Sequence, residues 1–300
     1  PLLPKLRRDF PQLHFFGVGS DGLARVGLER VADAKSLGVV GLFDWLGRSG
    51  SSVRTFRRVR AEVQSRNVVA AILVDLPDFN LRLAPWLRAR GIPVGYYVSP
   101  QVWAWREKRV QKIRERVDSM FVLFPFEEAF YRRHGVPVTF VGHPVRDLVA
   151  RRGPLRSGEL VRSAPRIALL PGSRATEHQR HLPLLRGVLR NVCARFPKAT
   201  ARVPVPPTVD DAAVRRAFDG LPVEVSSEPG YQSVEWADAA LVASGTATLE
   251  AALVGTPFAL FYRLNPATVL AARLVFGWKN GLLGLPNWLL GREVVPELLF

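Results

Sequence analysis

The sequence predicts an α/β protein made of two Rossmann-like domains facing a cleft. Three observations lead there. Short apolar runs alternate with amphipathic stretches along nearly the whole chain, as strands and covering helices of a parallel sheet do. The length of 300 residues exceeds what one hydrophobic core usually supports. A polar tract punctuated by Gly and Pro, from Arg151-Arg152-Gly153-Pro154 to Ser163-Ala164-Pro165, interrupts the rhythm at mid-chain. The predicted domains are therefore 1–152 and 153–300.

Strands are expected in the first half at Leu13–Val18, Val68–Val74, Pro93–Val98, Met120–Phe124 and Val138–Val141. Each is a short β-branched or aromatic run bounded by turn formers. Helices are expected between them, over about 52–66, 80–90, 105–116 and 126–134. In the second half the strands are Arg166–Leu170, Ala201–Val205, Val223–Val225, Ala239–Val242 and Phe258–Tyr262. Helices fit near 178–195, 208–218, 246–254 and 266–275.

Composition narrows the function classes. Charged residues make up 23% and hydrophobic ones 48%, which argues against disorder. No apolar run is long enough to span a membrane, and the start does not read as a signal peptide. The lone cysteine, Cys193, allows no internal disulfide and suits a reducing compartment. The net charge of +16 leans toward the first half, where 24 Lys/Arg stand against 14 Asp/Glu. Such an excess suits nucleic acid, anionic lipid or a phosphorylated substrate, or decorates solvated faces. Nucleic acid is disfavoured: the aromatics sit in Pro/Trp turns, and no recognised nucleic-acid motif appears.

Two segments read as phosphate-binding turns. Leu170-Pro171-Gly172-Ser173-Arg174 follows a strand and opens a helix, where backbone amides and the helix dipole favour an anion. Arg174 adds a permanently charged fork. Ala243-Ser244-Gly245-Thr246-Ala247-Thr248-Leu249-Glu250 repeats the arrangement, with small residues for close approach and Ser/Thr placed to cap the helix. Glu250 either accepts hydrogen bonds from ribose hydroxyls or satisfies a capping interaction.

In the first half, Val74-Asp75-Leu76-Pro77-Asp78 places two carboxylates just past a strand. Asp75 ends the strand and is expected to face the cleft as a general base; Asp78 is expected to cap the next helix. Both acting as caps is the competing reading. The histidines offer no metal-ligand spacing: His178 and His181 lie one turn apart without a third ligand. His143 at a strand end either touches a phosphate or caps a turn. Trp103, Trp105 and Arg106 are candidates for lining an acyl-chain or sugar pocket, although burial is the commoner explanation for such aromatics.

Residues 37–46, with Val40, Leu42, Phe43, Trp45 and Leu46, are strongly apolar and precede Arg48, Arg54, Arg57, Arg58, Arg60 and Arg66. An apolar wedge with Trp beside a basic stretch fits an interfacial membrane contact. A buried element beside a solvated helix fits it as well.

Several segments together resemble the lipid-A-disaccharide synthases. They are Asp75–Asn80, Tyr97–Arg106, Phe124-Pro125-Phe126-Glu127, Val141-Gly142-His143-Pro144, Leu170–Arg174 with Glu177, Ser244–Glu250, Leu285-Pro286-Asn287 and Gly291–Glu297. Their order and spacing match across nearly the whole chain. The family's glycine-rich opening strand would fall before Pro1, leaving the first domain without its first strand, and its closing helices after Phe300. The resemblance implies an inverting, metal-independent transferase of the GT-B fold using no cofactor. It implies condensation of UDP-2,3-diacylglucosamine with 2,3-diacylglucosamine 1-phosphate, releasing UDP. Another UDP-sugar transferase or a UDP-sugar 2-epimerase is the alternative. UDP-sugar contacts are expected from Gly172, Ser173, Arg174, Ser244, Gly245, Thr246, Ala247, Glu250 and Asn287, and acceptor or phosphate contacts from His143, Trp103, Arg106 and Arg292. The expected location is cytoplasmic, peripheral on an anionic inner membrane face, with homodimerisation left open.

Overall fold

A computed structural model of the chain describes residues 2–37, 50–105, 107–150, 163–206, 209–263 and 284–300. The contacts divide it into two units, Pro1–Pro144 and Val145–Phe300. The polar tract read as a linker lies mostly outside the described residues, as do the helix expected at 266–275 and the apolar segment Val40–Leu46.

Unit 1 opens with α1 (Leu2–Asp9), β1 (Phe16–Gly19), α2 (Asp21–Arg25) and β2 (Glu29–Asp33). β1 and β2 form a separate parallel pair. After α3 (Gly50–Gln64) come β3 (Ala71–Val74), α4 (Pro77–Arg88), β4 (Val94–Tyr97), α5 (Val102–Trp105), α6 (Val110–Arg116), β5 (Ser119–Val122), α7 (Pro125–Arg133) and β6 (Val138–Phe140). β3 to β6 build a parallel sheet in sequential order. Its core gathers Leu87, Val94, Tyr96, Ile113, Met120, Val122 and Tyr131, all at most 2% exposed. α3 buries Thr55, Val59 and Val63, spaced one turn apart, while Arg54, Arg57 and Arg58 stay exposed.

Unit 2 follows α8 (Pro144–Ala150), which straddles the division. Its elements are β7 (Arg166–Leu170), α9 (Ala175–Arg195), β8 (Thr200–Pro204), α10 (Asp211–Ala217), β9 (Val223–Ser226), α11 (Gly230–Trp236), β10 (Ala239–Ala243), α12 (Thr246–Val254), β11 (Phe258–Tyr262), α13 (Leu285–Leu290) and β12 (Glu297–Leu299). The six strands are all parallel, in the order β12-β11-β10-β7-β8-β9. Along β7 the side chains alternate between two cores. Leu169 joins α9 and α10 on one face, and Ala168 and Leu170 join α11 and α12 on the other. A strand covered on both faces must be apolar throughout, which is why this run reads Ile-Ala-Leu-Leu.

The helix expected at 105–116 is divided, with a 3₁₀ turn at Glu107–Arg109 between α5 and α6. α1, α2, β2, α8, α11, α13 and β12 were not expected; each is short, and its apolar residues are too few to set a period.

Candidate functional site

The strand order of unit 2 fixes where a ligand can sit. The chain winds outward from β7 to β8 and β9, then returns past β7 to β10, β11 and β12. β7 and β10 pair side by side, with Ala239 to Val242 opposite Ile167 to Leu170. The loops after them diverge to opposite faces, which opens a crevice at their carboxyl ends, the usual ligand position of an open parallel sheet. Those loops are Pro171–Arg174 and Ser244–Gly245, the two turns read as phosphate-binding.

The first loop is held tightly from within. Gly172 has φ +110°, and a Cβ there would run into the Glu177 carboxylate. Glu177 Oε2 accepts from the Ser173 amide at 2.9 Å and the Arg174 amide at 3.1 Å. These amides were expected to face phosphate; they are taken, because a glutamate at the third helical position reaches back to cap its own N-terminus. The amides of Ala175 and Thr176 are left without an internal acceptor among the described residues. His178 and His181, both buried, lie against the loop carbonyls, with His178 Nε2 2.9 Å from Gly172 O and His181 Nδ1 2.7 Å from Pro171 O. Burial lowers the His178 pKa. The Arg174 side chain is 63% exposed and lies only 3.7 Å from Glu177, so its charge is open to a ligand.

In the second loop Gly245 adopts φ +151° and precedes α12 with no side-chain cap. The expected Ser/Thr cap is absent: Thr248 instead donates from Oγ1 to Gly245 O at 2.7 Å, which steadies the turn. Thr246 is exposed and Ala247 half-buried. One turn in, burial raises the pKa of the Glu250 carboxyl, for which no protein hydrogen bond is found among the described residues. A Cβ added at Gly230 would lie 3.7 Å from Glu250 Oε2 and 3.3 Å from Leu170, so this carboxyl sits by the end of β7.

Asn287 is 1% exposed, and its amide is fully engaged. It donates to Val295 O and Glu297 Oε1 and accepts from the amides of Val294 and Val295. With two donors and two acceptor positions used, it ties α13 to the approach to β12 and has no bond left for a ligand. Arg292 is exposed beyond it.

In unit 1 the strain collects at one sheet edge. Asp75, Leu76 and Val98 have φ of 49°, 44° and 66°, a region side chains avoid, and they follow the adjacent strands β3 and β4. Bonds to backbone hold them there: Asp75 N donates to Tyr97 O, and Asp75 O accepts from Tyr96 Oη at 2.6 Å and from Asn80 Nδ2 at 2.5 Å. The Asp75 side chain is exposed. Asp78 does not cap α4 as expected. The cap position is Leu76, without a side-chain bond, and Asp78 lies inside the first turn, 3.7 Å from Arg109.

Glu127 organises the next loop and was not assigned a role from sequence. Only 4% exposed, it accepts from Ser99 Oγ, from Trp103 Nε1 at 3.3 Å and from the amides of Leu123 and Phe124. Trp103 also packs edge-on against Phe126, so it belongs to this scaffold. The readable signal was a Glu three residues after the helix cap position Phe124, the same device as Glu177 after Arg174. His143 is half-buried against Phe124, its pKa lowered by burial. Arg106 lies outside the described residues, as does the apolar patch.

Comparison with known proteins places the chain. A family model described as lipid-A-disaccharide synthetase matches residues 1–300. The lipid-A-disaccharide synthase of Myxococcus xanthus (strain DK1622) is 42% identical over 305 residues, covering 99% of this chain and 79% of the relative. That of Geobacter sulfurreducens (strain ATCC 51573 / DSM 12127 / PCA) is 37% identical over 300 residues, covering 98% and 77%. A solved putative UDP-N-acetylglucosamine 2-epimerase from Listeria monocytogenes aligns with TM-score 0.58 at 11% identity over 90% of this chain and 77% of its own. The calicheamicin glycosyltransferase CalG4 aligns with TM-score 0.52 at 17% identity, over 87% and 74%. At such identities these structures establish the α/β fold class of GT-B glycosyltransferases and epimerases. Sequence similarity over the full length does more: the chain belongs to the lipid-A-disaccharide synthetase family.

Proposed function

We propose that the protein is an inverting glycosyltransferase that joins UDP-2,3-diacylglucosamine to 2,3-diacylglucosamine 1-phosphate, giving the β-1,6-linked disaccharide 1-phosphate and UDP. Family membership across all 300 residues carries this reading. It also disfavours the epimerase alternative, whose support is similarity of fold alone. UDP would lie at the switch point of unit 2, with its pyrophosphate against Arg174 and the Ser244–Ala247 turn and its ribose hydroxyls donating to Glu250. Asn287 would act by positioning.

Inversion needs one displacement. The acceptor 6-hydroxyl oxygen bonds to the anomeric carbon as the bond to the UDP oxygen breaks, and the hydroxyl proton must go to a base. Asp75 is our candidate base, because it is an exposed carboxylate on a strained turn at the carboxyl edge of a parallel sheet. Membrane-embedded substrates also give a role to the apolar residues Val40–Leu46 and the following arginines, as a peripheral contact with the inner face of an anionic membrane. Among the described residues no helix is long and apolar enough to cross a membrane.

The test is turnover of the two lipid substrates by the full-length protein, with product identified by mass. Asp75→Asn should lose about 10²–10⁴ in kcat with little change in UDP affinity. Asp78→Asn, beside Arg109 rather than at the strand end, should leave kcat near normal and alter at most the acceptor KM. A folded, UDP-binding Asp75→Asn enzyme with near-normal turnover would move the base elsewhere.

A further inference from the structure

Unit 1 contains a cavity of about 200 Å³ beside the first turn of α4. Its wall brings four cations, Arg82, Arg109, Lys112 and Arg116, against one carboxylate, Asp78. Arg109, Lys112 and Arg116 recur at helical spacing, which turns all three toward the same side. Internal partners relieve little of this charge. Arg116 donates to Leu81 O at 2.7 Å, and Asp78 approaches Arg109 only to 3.7 Å. Among the described residues, no ion pair or side-chain hydrogen bond is found for Arg82 or Lys112. Gathering cations around a recess costs repulsion that water and salt screen in part and that an anion inside would offset further. The recess is smaller than a pocket for a whole drug-sized ligand but large enough for a phosphoryl group with part of its sugar. Guanidinium forks and an ammonium suit a group with three terminal oxygens. The cavity starts two residues after Asp75, so a group bound there would lie on the same edge as the candidate base.

We propose that this cavity is a phosphate-monoester subsite that holds the 1-phosphate of the acceptor sugar. The assignment of that phosphate to the acceptor rests on the proposed function, since the donor phosphates are assigned to unit 2. Phosphate seated here would orient the far end of the acceptor sugar and leave its 6-hydroxyl to the base.

Two measurements on the full-length protein test it. In steady-state kinetics, Arg109→Gln with Lys112→Gln should raise the acceptor KM about tenfold or more, as expected for lost charge-assisted bonds. The donor KM and UDP affinity should stay within about twofold. An unchanged acceptor KM, or an equal rise for both substrates, overturns the subsite. Lys112→Gln alone, at an exposed position, replaces the double variant if that one melts early, with a smaller rise expected in the same parameter. The second measurement is a ³¹P NMR titration with glucosamine 1-phosphate, which needs no turnover. Saturable binding should be lost in the variants and should weaken as pH falls through about 6, where the dianion takes up a proton. If such binding holds but no disaccharide forms, the subsite stands and the functional reading fails. If glucosamine 1-phosphate does not bind, or if the variants lose only binding to phosphatidylglycerol vesicles, the cavity is not a monoester subsite.

Discussion

Arg174 and Glu250 divide the proposed UDP contacts into an exposed charge and a half-buried carboxyl. Arg174 is mostly solvated and its pairing with Glu177 is loose, so truncation should barely alter folding. It should remove about 1.5–3 kcal/mol of UDP binding, the worth of a bond to a charged group, as measured by calorimetry. Unchanged affinity in Arg174→Ala would remove this residue from the site. Glu250 should behave in the opposite sense for stability. Its folded pKa is raised by burial, so its contribution to stability is greatest at low pH and is lost as pH rises through that value. Glu250→Gln should therefore raise the melting temperature near pH 7 while weakening UDP. Ribose hydroxyls that donate to the carboxylate favour its ionised form, so wild-type affinity should fall as pH falls through the raised pKa. A variant that binds UDP with unchanged affinity, or melts lower, counts against this role.

At the level of elements, both units use the same construction: a strand, a short loop, and a helix whose third residue is a glutamate that reaches back to the loop amides. Glu127 does so before α7 and Glu177 before α9. A loop stiffened this way presents a fixed backbone, which is what a preorganised site requires. The Pro171–Arg174 loop is also buttressed by His178, whose Nδ1 is buried without a partner. Protonation would place a second N–H there with no acceptor, consistent with the lowered pKa. A depressed His pKa gives stability that is full above the unfolded value of about 6.5 and is lost as pH falls through the folded value. Denaturant unfolding at pH 8 and pH 5.5 should show this loss, and His178→Gln, which can still donate to Gly172 O, should reduce it. An equal pH dependence in both proteins would place the titration elsewhere.

For the molecule as a whole, two uses are proposed for the charge of +16. One is the basic cavity of unit 1; the other is the exposed face of α3 with Arg54, Arg57 and Arg58, whereas Arg66, just beyond that helix, is already engaged by Glu29 and Glu62. That face follows the apolar residues 37–46 and would complement anionic headgroups. Replacing Val40, Leu42, Phe43 and Leu46 by serine should release the protein from phosphatidylglycerol vesicles in flotation without changing its circular dichroism. Lost secondary structure would instead identify those residues as core.

The sequence by itself determined the alternation of strands and helices and the positions of both glycine turns. These depend on local periods and on residues such as Gly172 and Gly245, whose backbone few other residues adopt. It could not supply the strand order, because pairing β10 with β7 joins residues about seventy positions apart and leaves no local mark. The switch point therefore belongs to the tertiary structure alone. So do the strained turn at Asp75, fixed by Tyr96, Tyr97 and Asn80, and the saturated amide of Asn287. In sequence, a buried polar residue that binds its own chain looks the same as one waiting for a ligand. Only the partners that folding brings to it decide which it is.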